Sequence, residues 1–130
     1  MKYLELQREL IEQYDIELCD GSLCANDWHR THAHPDRRRI CKWEGKNSAQ
    51  STFTLMHEIG HVETFKRSMR RCESEYYATV WALECAREHG FTVPQPLIDR
   101  YQRYIFLEYG RGIRRGGKLP DREKFLLPEC

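Results

Sequence analysis

An α+β fold, with a small antiparallel sheet packed on one central helix and a second helix behind it, follows from three observations. Helix-period apolar spacing occurs at the start of the chain and again through its second half. Short alternating segments fall between residues 15 and 43. Between these regions lies Thr54-Leu55-Met56-His57-Glu58-Ile59-Gly60-His61, an H-E-x-x-H run in helical surroundings. At 130 residues the chain is expected to form a single domain, 1–130, with residues 110–130 as a basic C-terminal tail.

Residues 2 to 14 read as a helix, because Tyr3, Leu6, Leu10 and Tyr14 recur at spacings of three and four. Asp15 to Asp20 alternates, with Ile16 and Leu18 on one face, and Asp20-Gly21-Ser22 signals a turn. Cys24 to Pro35 is polar and aromatic and leads into a turn at Pro35-Asp36. Arg39 to Trp43 alternates again as the return strand. An edge strand of such a sheet can pair with an extended peptide. The central helix starts near Ser48, capped by Asn47 or Ser48, and runs to about Arg67 with Phe53, Met56, Ile59 and Gly60 inward. A turn at Ser68-Met69-Arg70 leads to a helix from about Cys72 to His89, striped by Tyr76, Thr79, Val80 and Leu83 and stopped by Gly90. After Pro94 and Pro96, Leu97 to Tyr109 reads as the last helix. The remainder, punctuated by Gly and Pro, either wraps the domain through Phe125, Leu126 and Leu127 or frays.

The H-E-x-x-H run carries the chemistry. Four residues apart on a helix, His57 and His61 aim their imidazoles at one point. Zn²⁺ favours such a pair with one or two further ligands. Glu58 lies beside the first ligand, where its carboxylate can act on water as a general base without binding the metal. Gly60 removes a side chain beside the site, where substrate or a neighbouring strand can approach. A third ligand is required. Gly and His at 64 and 67 would extend the motif, but the chain has Thr64 and Arg67 there. Glu75, on the next helix, is the better-placed carboxylate, and Ala78 one turn on leaves room for close packing. Glu73 lies about 200° away around the helix and suits the helix N-terminus. His89 is the rival ligand, with an alternative role at a helix C-terminus.

His57-Glu58-Ile59-Gly60-His61 followed by Glu73-Ser74-Glu75-Tyr76-Tyr77-Ala78, with Phe53-Thr54-Leu55 just upstream, resembles the ImmA/IrrE family of small metallopeptidases. The family pattern is H-E-[LI]-G-H and then a helix opening E-x-E-A. Tyr76 and Tyr77 stand where the family usually has Ala and Asn. The resemblance covers about residues 40 to 85. It implies a compact zincin-like domain of the gluzincin type, with Zn²⁺ as cofactor, His57, His61 and Glu75 as metal ligands and Glu58 as catalytic base. It also implies a mobile-element or stress-response setting, in which such proteins cleave or inactivate a DNA-binding repressor. The expected function is therefore a zinc metalloendopeptidase of narrow specificity acting on a protein substrate. Candidates for stabilising the oxyanion are Tyr76, Tyr77, His29, His32 and His34. One alternative is a non-catalytic zinc-containing module that sequesters a repressor. Another is a DNA-associated metalloprotease with His89 as third ligand.

Charge and cysteine usage narrow the classes. The net charge of +1 does not mark a nucleic-acid binder, so direct binding is not expected. Arg37-Arg38-Arg39 and the group Arg111, Arg114, Arg115 and Lys118 read better as solvated loops and tail. Apolar runs fall short of a membrane span, and acids interrupt the N-terminus where a signal peptide would be apolar, so a cytoplasmic setting is expected. Of six cysteines, Cys72 and Cys85 fall in a helix as small apolar residues. Cys19, Cys24 and Cys41, with His29, His32 and His34 between them, raise a second, structural metal site as a lesser reading.

Overall fold

A computed structural model describes residues 2–20 and 31–128. Its elements are α1 (Lys2–Gln13), β1 (Glu17–Cys19), β2 (His32–His34), a 3-10 turn (Pro35–Arg37), β3 (Arg39–Cys41), α2 (Ala49–Thr64), α3 (Arg71–Glu88), α4 (Gln95–Arg114) and a second 3-10 turn (Arg122–Phe125). The α+β class holds.

The sheet differs from the antiparallel one expected. Its order is β1-β3-β2, with β2 antiparallel to β3 but β1 parallel to it. The β2–β3 pair turns tightly through Pro35–Arg37, where Arg38 takes a left-handed φ of 49°. β1 joins the far edge of β3 in the same direction, with Cys19 opposite Cys41. Ile16 is buried as expected, whereas Leu18 is about half exposed. Two of the three consecutive arginines are engaged within the chain. Arg38 donates to the Glu63 carboxylate at 2.7 Å and Arg39 to Glu17 at 2.9 Å.

α1 docks through Leu10, fully buried, and through Gln7. The Gln7 amide donates to the Lys46 carbonyl at 2.9 Å and to Thr52 Oγ1 at 3.0 Å, tying α1 to the start of α2. Ser48 caps α2 by accepting from the Ser51 amide at 3.1 Å. The helix ends at Thr64, a turn earlier than Arg67, and Thr64 Oγ1 donates back to the Gly60 carbonyl at 2.7 Å. At the head of α3 the Glu73 carboxylate accepts from the Arg70 amide at 3.1 Å, the N-terminal role its position suggested. Gly90, at φ +67°, closes the other end.

α2 and α3 form the central antiparallel pair. A Cβ built on Gly60 would lie 2.4 Å from the Ala78 carbonyl oxygen. Gly60 therefore makes room for the α3 backbone, not for a substrate or a strand. Beside that contact α3 buries Cys72, Ala78, Ala82, Cys85 and Ala86; Tyr76 and Val80, expected in its stripe, are only half-buried. α4 is longer than expected, continuing through Gly110 and Gly112 to Arg114. The segment after it folds back, with the Gly117 amide donating to the Gly112 carbonyl at 2.9 Å.

Among the described residues, apolar side chains form two clusters. The larger joins Leu10, Ile40, Phe53, Met56 and Leu83 between α1, the sheet, α2, α3 and the first turn of α4. The smaller holds Cys72, Ile105 and Phe125. Phe125 is buried, Leu127 half-buried and Leu126 exposed. Among the described residues, no helix is long and apolar enough to cross a membrane.

Candidate metal centre

Helical geometry brings His57 and His61 over one another on α2, and the antiparallel return of α3 presents Glu75 opposite them. His57 Nε2 and His61 Nε2 are 3.1 Å apart. Glu75 Oε1 lies 3.2 Å from the first and Oε2 3.0 Å from the second. A tetrahedral Zn²⁺ at 2.0–2.1 Å from each ligand spaces its ligand atoms at about 3.3 Å. The triangle fits that ion after small adjustments.

The groups behind the imidazoles set which nitrogen faces inward. Thr79 Oγ1 donates to the Glu75 carbonyl at 2.7 Å, so its oxygen accepts from His57 Nδ1 at 3.1 Å. That places the His57 proton on Nδ1 and turns the Nε2 lone pair to the centre. Ser74 Oγ stands 3.2 Å from His61 Nδ1 and can do the same. Two imidazole lone pairs and a carboxylate then meet at one point, a donor set whose chemistry calls for a cation.

Electrostatics agree. Burial pushes the His57 imidazole below its ordinary value, against the opposing pull of Glu75. Burial acts the same way on His61, but hydrogen bonding and charge from Glu75 outweigh it and the net shift is upward. Glu75 is buried too, yet hydrogen bonds from both histidines hold its carboxyl well below the usual carboxylate range. The carboxylate thus stays ionised beside the two imidazoles. Glu58, beside them, is pushed up to about 7, chiefly by burial; a dication at the centre favours its ionised form.

These residues line a cleft of about 680 Å³. Its walls include Thr31, His32 and Ala33 from the β2 side and Tyr101 and Tyr104 from α4. The Tyr101 ring packs on His57 with centroids 4.6 Å apart and edge-on against Phe53 at 5.2 Å. Burial pushes its phenol up to about 12, which keeps it protonated. Tyr104 Oη accepts from Arg71 Nη2 at 3.1 Å, leaving its own proton to donate elsewhere.

Of the sequence candidates, His57, Glu58, His61 and Glu75 come together here. Glu73 is turned to the helix cap. His89 lies 14 residues beyond Glu75, about 21 Å along α3, with Nδ1 2.9 Å from the Cys85 carbonyl and Nε2 3.3 Å from Gln13 Oε1. It is not part of the centre. Among the oxyanion candidates, His32 lines the cleft, while Tyr76 packs on Phe125 and Tyr77 is about half exposed. His29 and Cys24 lie outside the described residues. Sequence reasoning missed Thr79, Ser74, Arg71 and Tyr104. Thr79 was legible in principle, one helical turn after Glu75 on the same face. Tyr104 was not, because its place in the cleft rests on how α4 packs beside it. Comparison with protein-family models, with curated proteins and with solved structures finds no match to this chain.

Proposed function

We propose that the protein is a zinc-dependent endopeptidase, with His57, His61 and Glu75 as ligands and Glu58 as general base. The observation that carries this is the convergence of three ligand side chains, their donor atoms 3.0 to 3.2 Å apart, beside a second buried carboxylate, Glu58, in an open cleft. A purely structural site is closed and has no use for that carboxylate.

When bound there, Zn²⁺ supplies Lewis-acid polarisation of the scissile carbonyl and lowers the pKa of water. The chain's own groups do the rest. Glu58 takes the proton of the attacking water and passes it to the leaving amine. Thr79 and Ser74 hold the imidazoles in the ligating tautomer. Tyr104, with its oxygen occupied by Arg71, is the proposed donor to the developing oxyanion. β2, the outer strand at the cleft wall, suits an extended peptide laid beside it. The resemblance to ImmA/IrrE proteins points to a DNA-binding repressor as the substrate class and to a mobile-element or stress-response setting inside the cell.

Metal analysis and cleavage profiling on a peptide library test this together. Glu75→Ala should lose one equivalent of zinc, and His89→Ala should lose none. Glu58→Gln should keep its metal and lose cleavage by about three orders of magnitude or more, the scale seen when catalytic groups are removed. No cleavage by wild type, with Glu58→Gln equal to it in a partner-inactivation assay, would leave a binding module that sequesters its partner as the function.

A further inference from the structure

We propose that His32, His34 and Cys41 form a second cation site, suited to a thiophilic divalent ion such as Zn²⁺, on the sheet face opposite Ile40. It shares no ligand with the centre on α2 and α3 and does not depend on the activity proposed for that centre.

Three features carry it. The first is register. His32 and His34 are two apart on β2 and so project from the same face. In the antiparallel β2–β3 pair His32 is the direct partner of Cys41, and His34 is then its diagonal neighbour. The second is distance. One ring nitrogen from each histidine and the Cys41 sulfur all lie within 4.8 Å of one another. A tetrahedral Zn²⁺ with Zn–N of 2.0–2.1 Å and Zn–S near 2.3 Å separates its ligands by about 3.3–3.7 Å, so modest rotations of the two rings complete the site. The rings meet edge to face, with centroids 5.0 Å apart.

The third is what surrounds the thiol. Cys41 is fully buried, as Cys72 and Cys85 nearly are. Those two sit inside the apolar clusters, as a small hydrophobic residue would. Among the described residues, neither cluster includes Cys41. Its neighbour Ile40 points the other way and takes the core position. β3 is the middle strand, held on both sides, so the sulfur has a rigid mount. A buried sulfur grouped with two half-buried imidazoles has the donor composition of a zinc or copper site. Three protein ligands leave one position open. Because His32 also lines the cleft, an ion here ties β2 to β3 at the rim of the candidate active site.

Titration of metal-stripped protein with Co²⁺, in a non-thiol reductant, reads this site alone. Thiolate ligation of Co²⁺ gives a strong charge-transfer absorption in the near ultraviolet, and two histidines with a glutamate cannot produce it. Wild type and Glu75→Ala should both show the band at the same final intensity, that of one thiolate-bound Co²⁺ per chain, with saturation by two equivalents in wild type and one in Glu75→Ala. Cys41→Ser should abolish it, and Cys72→Ser should keep it. His34→Ala should weaken the titration by about tenfold or more, since even outer-shell partners carry 10–100-fold. His34 is half-buried, so that variant decides the matter if Cys41→Ser does not fold. No band in wild type, or a band unchanged in Cys41→Ser or His34→Ala, overturns the proposal. Loss of the band in Glu75→Ala would show that the cysteine reports on the first centre, and would overturn it too.

Discussion

Thr79 has a single hydroxyl and uses it twice: the proton goes to the Glu75 carbonyl and the oxygen receives His57 Nδ1. Removing that acceptor while keeping the shape, as in Thr79→Val, should lower zinc affinity by about 10–100-fold in a chelator competition and leave the fold intact. Ser74→Ala, beside the more exposed His61, should cost less. The convergence of His57, His61 and Glu75 was legible largely from helical periodicity. His57 and His61 share a face, and an arc of about 200° separates Glu73 from Glu75. The supporting hydroxyls and the Tyr104–Arg71 pair were not, since a lone Thr, Ser or Tyr has many ordinary uses. Their roles arise only from how α3 and α4 cross α2.

The α2–α3 contact is the least forgiving junction between elements. Alanine in place of Gly60 would gain up to about 1 kcal/mol in helix propensity. Its Cβ, however, would meet backbone at 2.4 Å, which no rotamer can relieve. The clash should win, with a net loss of about 1–3 kcal/mol in urea unfolding. Zinc affinity should fall as well, because any separation of the helices moves Glu75 from the histidines. Helix existence was legible throughout; helix ends and strand pairing were not. Gly110 and Gly112 looked like a stop, yet a Cβ at Gly112 would lie 3.0 Å from Leu119, and the bare position instead admits the returning tail. The parallel union of β1 with β3 rests on three-residue strands, too short to declare their partner in sequence.

At the scale of the molecule, two clusters divide the work of stability. The larger carries the sheet and α1, and the smaller fastens the chain after α4 through Phe125 against Tyr76 and Tyr109. Phe125→Ala should cost about 3 kcal/mol, the lower end for a buried phenylalanine because a terminal segment can relax. Metal content should not change. Stripping metal should be felt by the whole fold. At a free zinc concentration a thousandfold above its Kd, binding contributes about 4 kcal/mol. A chelator should therefore lower the melting temperature by on the order of 10 °C in calorimetry. A chelator without effect on wild type would count against both proposed sites.

His57, His61, Glu75, Thr79 and Ser74 all fall within residues 57–79, on two helices joined by residues 65–70. Closing so short a loop costs little chain entropy. An ion can therefore gather its ligands while α1, the sheet and α4 are still unassembled, and local pairings of this kind are the ones that form early. If the proposed zinc site is filled, the hairpin is the natural nucleus of folding as well, and metal supply during synthesis would set how quickly the remaining elements find a surface on which to condense.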